Sequence, residues 1–211
     1  MDRARIIAAY RIGFALLAIA AIVYQAIALA QVGSFFPTRF FAYFTIQSNI
    51  IAVVVFLVGA SRVRGERTRG WELVRGAALL YMTVTLVVYN TLLAGTDVDT
   101  AVSWVNDVVH KLFPIVLIAD WLIDPPMQRL AFRDTLVWLV YPLAWTGLSL
   151  VRGLIDGWYP YPFLDPANGG YGTVAAYIVG ILVFGVVLCA VIAAIGNALG
   201  ARRSEASPAP A

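Results

Sequence analysis

Two short segments of this sequence set polar and ionisable side chains within apolar runs. The first is Phe44-Thr45-Ile46-Gln47-Ser48-Asn49, where Thr45, Ser48 and Asn49 stand at i, i+3 and i+4 and so share one helix face, with Gln47 pointing elsewhere. The second is Trp104-Val105-Asn106-Asp107-Val108-Val109-His110-Lys111, where the same spacing sets Asn106, Asp107 and His110 on one face, with Lys111 beside it and Pro114 one turn further on. Three kinds of chemistry fit these residues. An imidazole could activate the threonine hydroxyl as a nucleophile; His110, Asp107 and Lys111 could relay protons or ions; or the polar faces could only bind other helices. One histidine and one cysteine are too few for an all-nitrogen-and-sulfur metal site, so no metal and no cofactor is expected. Cys189 has no second cysteine to pair with inside the chain.

The elements that must hold these groups are read from composition. Of 211 residues 61% are hydrophobic and 13% charged, with a mean hydropathy of +0.82, too apolar for a solvated globule. The chain is therefore expected in a membrane, without a separate soluble or nucleotide-binding domain and without a nucleic-acid partner. Six apolar runs, roughly 6–30, 40–60, 74–94, 105–123, 136–150 and 173–199, each bounded by charged, Gly or Pro residues, predict six transmembrane helices. They do not alternate polar and apolar residues as barrel strands would. The fold class expected is all-α, one integral membrane bundle over 1–203, with a Pro/Ala/Ser-rich tail over 204–211 expected to be disordered.

Charge placement sets the orientation. With six spans, 12 of the 15 basic residues fall on one side, and Arg39, Lys111 and Arg152 fall on the other beside Asp97, Asp99, Asp107, Asp156 and Asp165. The positive-inside rule then makes both termini cytoplasmic, as in a bacterial cytoplasmic membrane. The basic start and Ala28-Leu29-Ala30 imitate a signal peptide, but the apolar segment exceeds the ~7–15 residues of such a leader, and a retained first helix is expected. The halves show no internal repeat of the kind common in secondary transporters.

With this topology the second and fourth spans run in the same direction from the outer side. At ~1.5 Å per residue, Thr45 and His110 lie about 8 and 9 Å below the outer ends of their helices, so both polar faces meet one outer-leaflet level. Pro114 cannot donate to the carbonyl of His110, leaving that oxygen free. The segment from Arg152 to Pro166, with Trp158-Tyr159-Pro160-Tyr161-Pro162-Phe163-Leu164-Asp165 inside it, is too aromatic and Pro-rich for a solvated loop, and is expected to fold back as a lid. Asp120 is read as an interfacial carboxylate near Arg129 or Arg133. Tyr10, Tyr24, Trp121, Trp138, Tyr141 and Trp145 are read as belt or packing aromatics.

Asn106-x-x-x-His110 followed by Pro114-Ile115-Val116-Leu117-Ile118, together with Trp158-Tyr159-Pro160-Tyr161-Pro162-Phe163-Leu164-Asp165, resembles two segments of the androgen-induced and androgen-dependent membrane proteins. These are six-span threonine hydrolases that cleave fatty acid esters of hydroxy fatty acids, and the chain also resembles their prokaryotic six-helix relatives. The resemblance implies Thr45 as nucleophile, His110 as catalytic histidine and Asn106 as the motif asparagine. Phe44-Thr45-Ile46-Gln47-Ser48 departs from the family's Leu-Thr-Phe-Ile-Asp, with Ser48 in place of an acid, and Asp107 stands where the family example has histidine. The implied reaction is acyl transfer: His110 takes the Thr45 proton, Thr45 attacks an ester carbonyl, and water releases the acyl group. Asp107 or Asp165 would orient the imidazole. Asn106, Ser48, Asn49 or a reoriented Gln47 would donate to the oxyanion. Trp158, Tyr161, Pro162 and Phe163 would form the lid over a lipid ester substrate entering from the membrane.

Overall fold

The computed structural model describes residues 2–93 and 102–205, and every regular element among them is helical. The helices are α1 Arg3–Gln31, α2 Pro37–Phe40, α3 Phe44–Ser61, α4 Arg69–Val88, α5 Ser103–Asp107, α6 Phe113–Ile123, α7 Phe132–Thr135, α8 Val140–Asp156 and α9 Gly170–Glu205. Local chemistry sets several ends. The Asp2 carboxylate accepts from the Ala4 N–H to start α1, and the Thr68 hydroxyl accepts from the Trp71 N–H to start α4. Gly157, at φ +72°, ends α8 in the left-handed conformation that only glycine adopts without strain.

Five stretches are long and apolar enough to cross a membrane: Arg3–Gln31, Phe44–Ser61, Arg69–Leu93, Phe132–Asp156 and Gly170–Arg203. This is the pattern of a multi-pass membrane protein. The fourth expected run, 105–123, is helical throughout but is divided by a π-helical turn, Val108–Leu112, between α5 and α6. The fifth reaches well beyond 136–150, because α7, a 3₁₀ turn at Leu136–Leu139 and α8 follow one another without a break. Helix α9 continues through Ser204 and Glu205 of the expected tail, while its remaining residues, 206–211, lie outside the described residues, as do Ala94, Asp97 and Asp99.

Apolar side chains cover the outside as well as the inside, as hydrocarbon solvent requires. Leu148, Leu154 and Ile155 of α8 and Val179 and Val183 of α9 are well exposed, whereas the interior holds Phe56, Leu80, Met82, Phe113 and Trp138. Close packing is fixed by glycine at two points. A Cβ on Gly76 would lie 2.2 Å from the Trp138 ring, and one on Gly153 would lie 2.0 Å from that of Tyr159.

One end of the bundle is held by buried ions. Arg11 pairs with Asp120 at 2.7 Å and Asp124 at 2.8 Å; Arg75 pairs with Asp120 at 3.0 Å and Glu72 at 2.9 Å; Arg67 pairs with Asp124 at 2.7 Å and Glu72 at 3.0 Å. All six residues are buried. Arg203 of α9 adds a bond to the other Asp124 oxygen at 2.8 Å. Asp120 therefore answers Arg11 and Arg75, which corrects its expected placement at an interface near Arg129 or Arg133. Arg11 lies far enough into α1 to reach it, and also donates to the Gly59 carbonyl of α3 at 3.1 Å. Burial opposes ionisation of Asp124, but Arg67, Arg75 and Arg11 outweigh it and hold its carboxyl down at about 2, against an ordinary 3.8.

Candidate functional site

The site begins with a backbone irregularity. In the π turn the Phe113 N–H reaches the carbonyl of Val108, five residues back. The next such bond would run from residue 114 to Val109, and Pro114 has no N–H to make it. The Val109 carbonyl is taken instead by the Asn49 side-chain amide of α3 at 3.1 Å, whose Nδ2 also donates to the Thr45 carbonyl at 2.8 Å. Asn49 thus ties the first turn of α3 to the turn that carries His110. The matching depth expected of Thr45 and His110 corresponds to this link, and the carbonyl caught by the neighbouring helix is that of Val109.

His110 is held on two sides. Its Nδ1 lies 3.2 Å from the Asn106 carbonyl oxygen, and because a carbonyl only accepts, a hydrogen bond here puts the hydrogen on Nδ1, so that in the neutral ring Nε2 holds the lone pair. The ring stacks on Tyr89 with centroids 4.2 Å apart and planes at 23°. Tyr89 in turn accepts from the Asn106 side-chain amide. Tyr89 was not singled out in the sequence, where it is one aromatic among many at the end of an apolar run.

Thr45, in the first turn of α3, is buried. Its hydroxyl is 3.3 Å from the Tyr161 hydroxyl, and its backbone N–H donates to the same oxygen at 3.2 Å. The α3 N-cap, Tyr43, gives no side-chain cap, so Tyr161 caps the helix from across the molecule. Burial raises the Tyr161 phenol above its ordinary value, so at neutral pH it remains an O–H group able to donate.

The aromatic segment 157–169 is packed as its composition suggests. Tyr161 is buried and stacked on Phe163, 5.3 Å apart at 13°. Trp158 meets Tyr43 edge-on, with Arg152 at 4.5 Å and Arg39 at 5.7 Å from its ring. Pro162 opens a 3₁₀ turn, Pro162–Leu164, and its carbonyl accepts from Asn168.

Other expected supporting residues stand elsewhere. Asp107 turns outward to Lys111 at 2.7 Å, so the orienting contact of His110 is the Asn106 carbonyl. Asp165 caps the short Pro166–Asn168 turn through the Ala167 N–H. Ser48 is fully buried with no hydrogen-bond partner among the described residues, and lines neither cavity at the site. Asn49 spends both amide hydrogens on backbone carbonyls. Gln47 donates to the Phe41 carbonyl and accepts from Tyr141.

Thr45 and His110 nevertheless share one space. Both line a cavity of about 210 Å³, together with Tyr161, Gln25, Arg39 and Tyr43. On the far side of Thr45 and Tyr161 lies a second, apolar cavity of about 80 Å³ walled by α4, α8 and α9. Among the described residues no group of three or more His, Cys, Asp or Glu side chains is placed to hold a metal ion. Compared with known protein families, characterised proteins and solved structures, the chain matches none.

Proposed function

We propose that this protein is a six-span membrane hydrolase that cleaves a lipid ester, with Thr45 as nucleophile and His110 as base. In this reading the divided helix Ser103–Ile123 also crosses the membrane, as the fourth of six spans, both termini are cytoplasmic, and the cavity opens in the outer leaflet of a bacterial cytoplasmic membrane. The observation that carries it is the cavity shared by Thr45 and His110, two residues on separate helices fastened together by Asn49.

The tautomer supports the assignment of roles. Nε2 of His110 takes the Thr45 proton, directly or through one water, while the Asn106 carbonyl stabilises the imidazolium through Nδ1–H. Thr45 Oγ then bonds to the ester carbonyl carbon, the alcohol leaves with the proton from His110, and water activated by the same imidazole releases the acid. Tyr161, already within hydrogen-bond reach of Thr45, is the nearest O–H donor for the developing oxyanion. The resemblance to the androgen-induced membrane hydrolases supports the same roles and a substrate such as a fatty acid ester of a hydroxy fatty acid. A transporter would need a polar path to the cytoplasmic side, but there the buried charges pair with one another.

The test is hydrolysis of a panel of lipid esters by purified wild type, Thr45→Ala and His110→Ala. Loss of at least about 100-fold in both variants, with melting temperature retained, is the expected result. Unchanged activity in Thr45→Ala would remove the nucleophile. A wild type inert to every ester would remove the hydrolase.

A further inference from the structure

The two cavities that meet at Thr45 and Tyr161 differ in chemistry. The apolar one is walled by Leu80, Val84, Trp145, Phe163, Ile178 and Leu182, and reaches the surface at Leu143 of α8, which is 46% exposed. Such a lateral opening admits a hydrocarbon chain from the bilayer without crossing water. The other cavity is lined by His110, Gln25 and Arg39, the last of them an exposed residue.

Arg39 is unlike the other two cations expected on this side. Lys111 is paired with Asp107 at 2.7 Å, and Arg152 with Asp156 at 3.0 Å and with the Thr38 carbonyl at 2.6 Å. The Arg39 guanidinium lies over the rings of Phe36 and Trp158 at 5.3 and 5.7 Å, and among the described residues the side chain forms no hydrogen bond or ion pair, although its charge acts on Asp156. The nearby Asp156 carboxylate is already engaged by Arg152 and the Trp158 N–H. The aromatic rings hold the guanidinium of this cavity-lining residue while its five N–H donors have no protein acceptor among the described residues. A planar fork of this kind at the edge of an apolar site matches a carboxylate or phosphate.

We propose that the two cavities form one binding site for a single-chain anionic amphiphile, its hydrocarbon tail in the apolar cavity and its oxyanion head on Arg39. The Thr45–Tyr161 contact, long at 3.3 Å, is the gate the ligand parts. The inference deepens the hydrolase reading, because it places the bond between head and tail beside Thr45, but binding is measurable without turnover.

The experiment uses the full chain in phosphatidylcholine nanodiscs and three probes: a stearate brominated in mid-chain, its methyl ester and the corresponding alkyl phosphate. Bromine quenches nearby tryptophan, and the signal of Trp145 is isolated by difference against Trp145→Phe. The wild type is expected to bind the carboxylate about tenfold more tightly than the ester, a preference that Arg39→Gln abolishes while ester binding persists. Leu182→Trp, which fills the apolar cavity, is expected to weaken all three probes. Phosphate binding as tight as carboxylate identifies a general oxyanion site, and carboxylate binding alone restricts it to fatty acids. Acid and ester bound equally, a preference unchanged in Arg39→Gln, or quenching undiminished in Trp145→Phe would overturn the proposal. Binding with this pattern in a protein that hydrolyses nothing would overturn only the hydrolase reading.

Discussion

At the Asp124 end of the bundle each buried charge meets a counter-charge, whereas around Thr45 and His110 several buried polar atoms have no partner among the described residues. Asp124 alone engages Arg11, Arg67 and Arg203, and Asp120 engages Arg11 and Arg75. Near the cavities, by contrast, Ser48 Oγ, Asn49 Oδ1, Asn106 Oδ1 and Thr85 Oγ1 are buried without a hydrogen-bond partner. Unmatched polar groups in a low-dielectric interior are costly. Of these four residues only Thr85 lines a cavity, and at the Asp124 end the Trp71 indole N–H is likewise unbonded among the described residues, so the two ends differ in the pairing of charges.

Breaking the fastening should have the largest effect. Asp124→Ala leaves Arg11, Arg67 and Arg203 short of a counter-charge and is expected to cost about 3–5 kcal/mol in thermal unfolding in detergent. The same group sets an acid limit. Its pKa is lower in the fold, about 2, than its ordinary 3.8, so the folded state holds fewer protons between those values. Its stabilising contribution is therefore complete above about pH 4 and is lost as pH falls through about 2, and a melting series in acid should show that decline in the wild type but not in Asp124→Asn.

Smaller effects are expected from changes near the cavities. Gly153→Ala drives a methyl group into the Tyr159 ring and is expected to cost about 1–3 kcal/mol while loosening segment 157–169, read as faster hydrogen exchange there. Tyr161→Phe removes the acceptor of the Thr45 N–H, and about 1 kcal/mol in the same melting assay is expected. Lys111→Ala, at an exposed ion pair, should change stability by less than about 0.5 kcal/mol, although it adjoins His110.

Much of the architecture was legible because hydrocarbon solvent imposes long apolar runs: five of the six expected runs match helices long enough to cross a membrane. The fourth was legible as helix, but its π turn was not, since nothing in Val108–Leu112 forbids an α turn. Pro114 signalled a missing N–H, yet which carbonyl it would free depends on the helical register. In the site, i, i+3 and i+4 spacing grouped Thr45 with Asn49 correctly. The same rule placed Asp107 beside His110, whereas the structure turns it to Lys111, an (i, i+4) partner on the outer surface. The ion cluster was missed as a whole. Arg11, Glu72 and Asp120 each stand beside or inside apolar runs at the same expected end, but reading basic residues as orientation signals hid their mutual pairing.

The proposed role of Thr45 as nucleophile is tested most directly by covalent capture. The full-length protein in detergent would be treated with a long-chain alkyl fluorophosphonate, digested and mapped by tandem mass spectrometry. One adduct is expected, on Thr45, absent from Thr45→Ala and strongly reduced in a folded His110→Ala. An adduct on another residue, or labelling of Thr45 that is indifferent to His110, would contradict it.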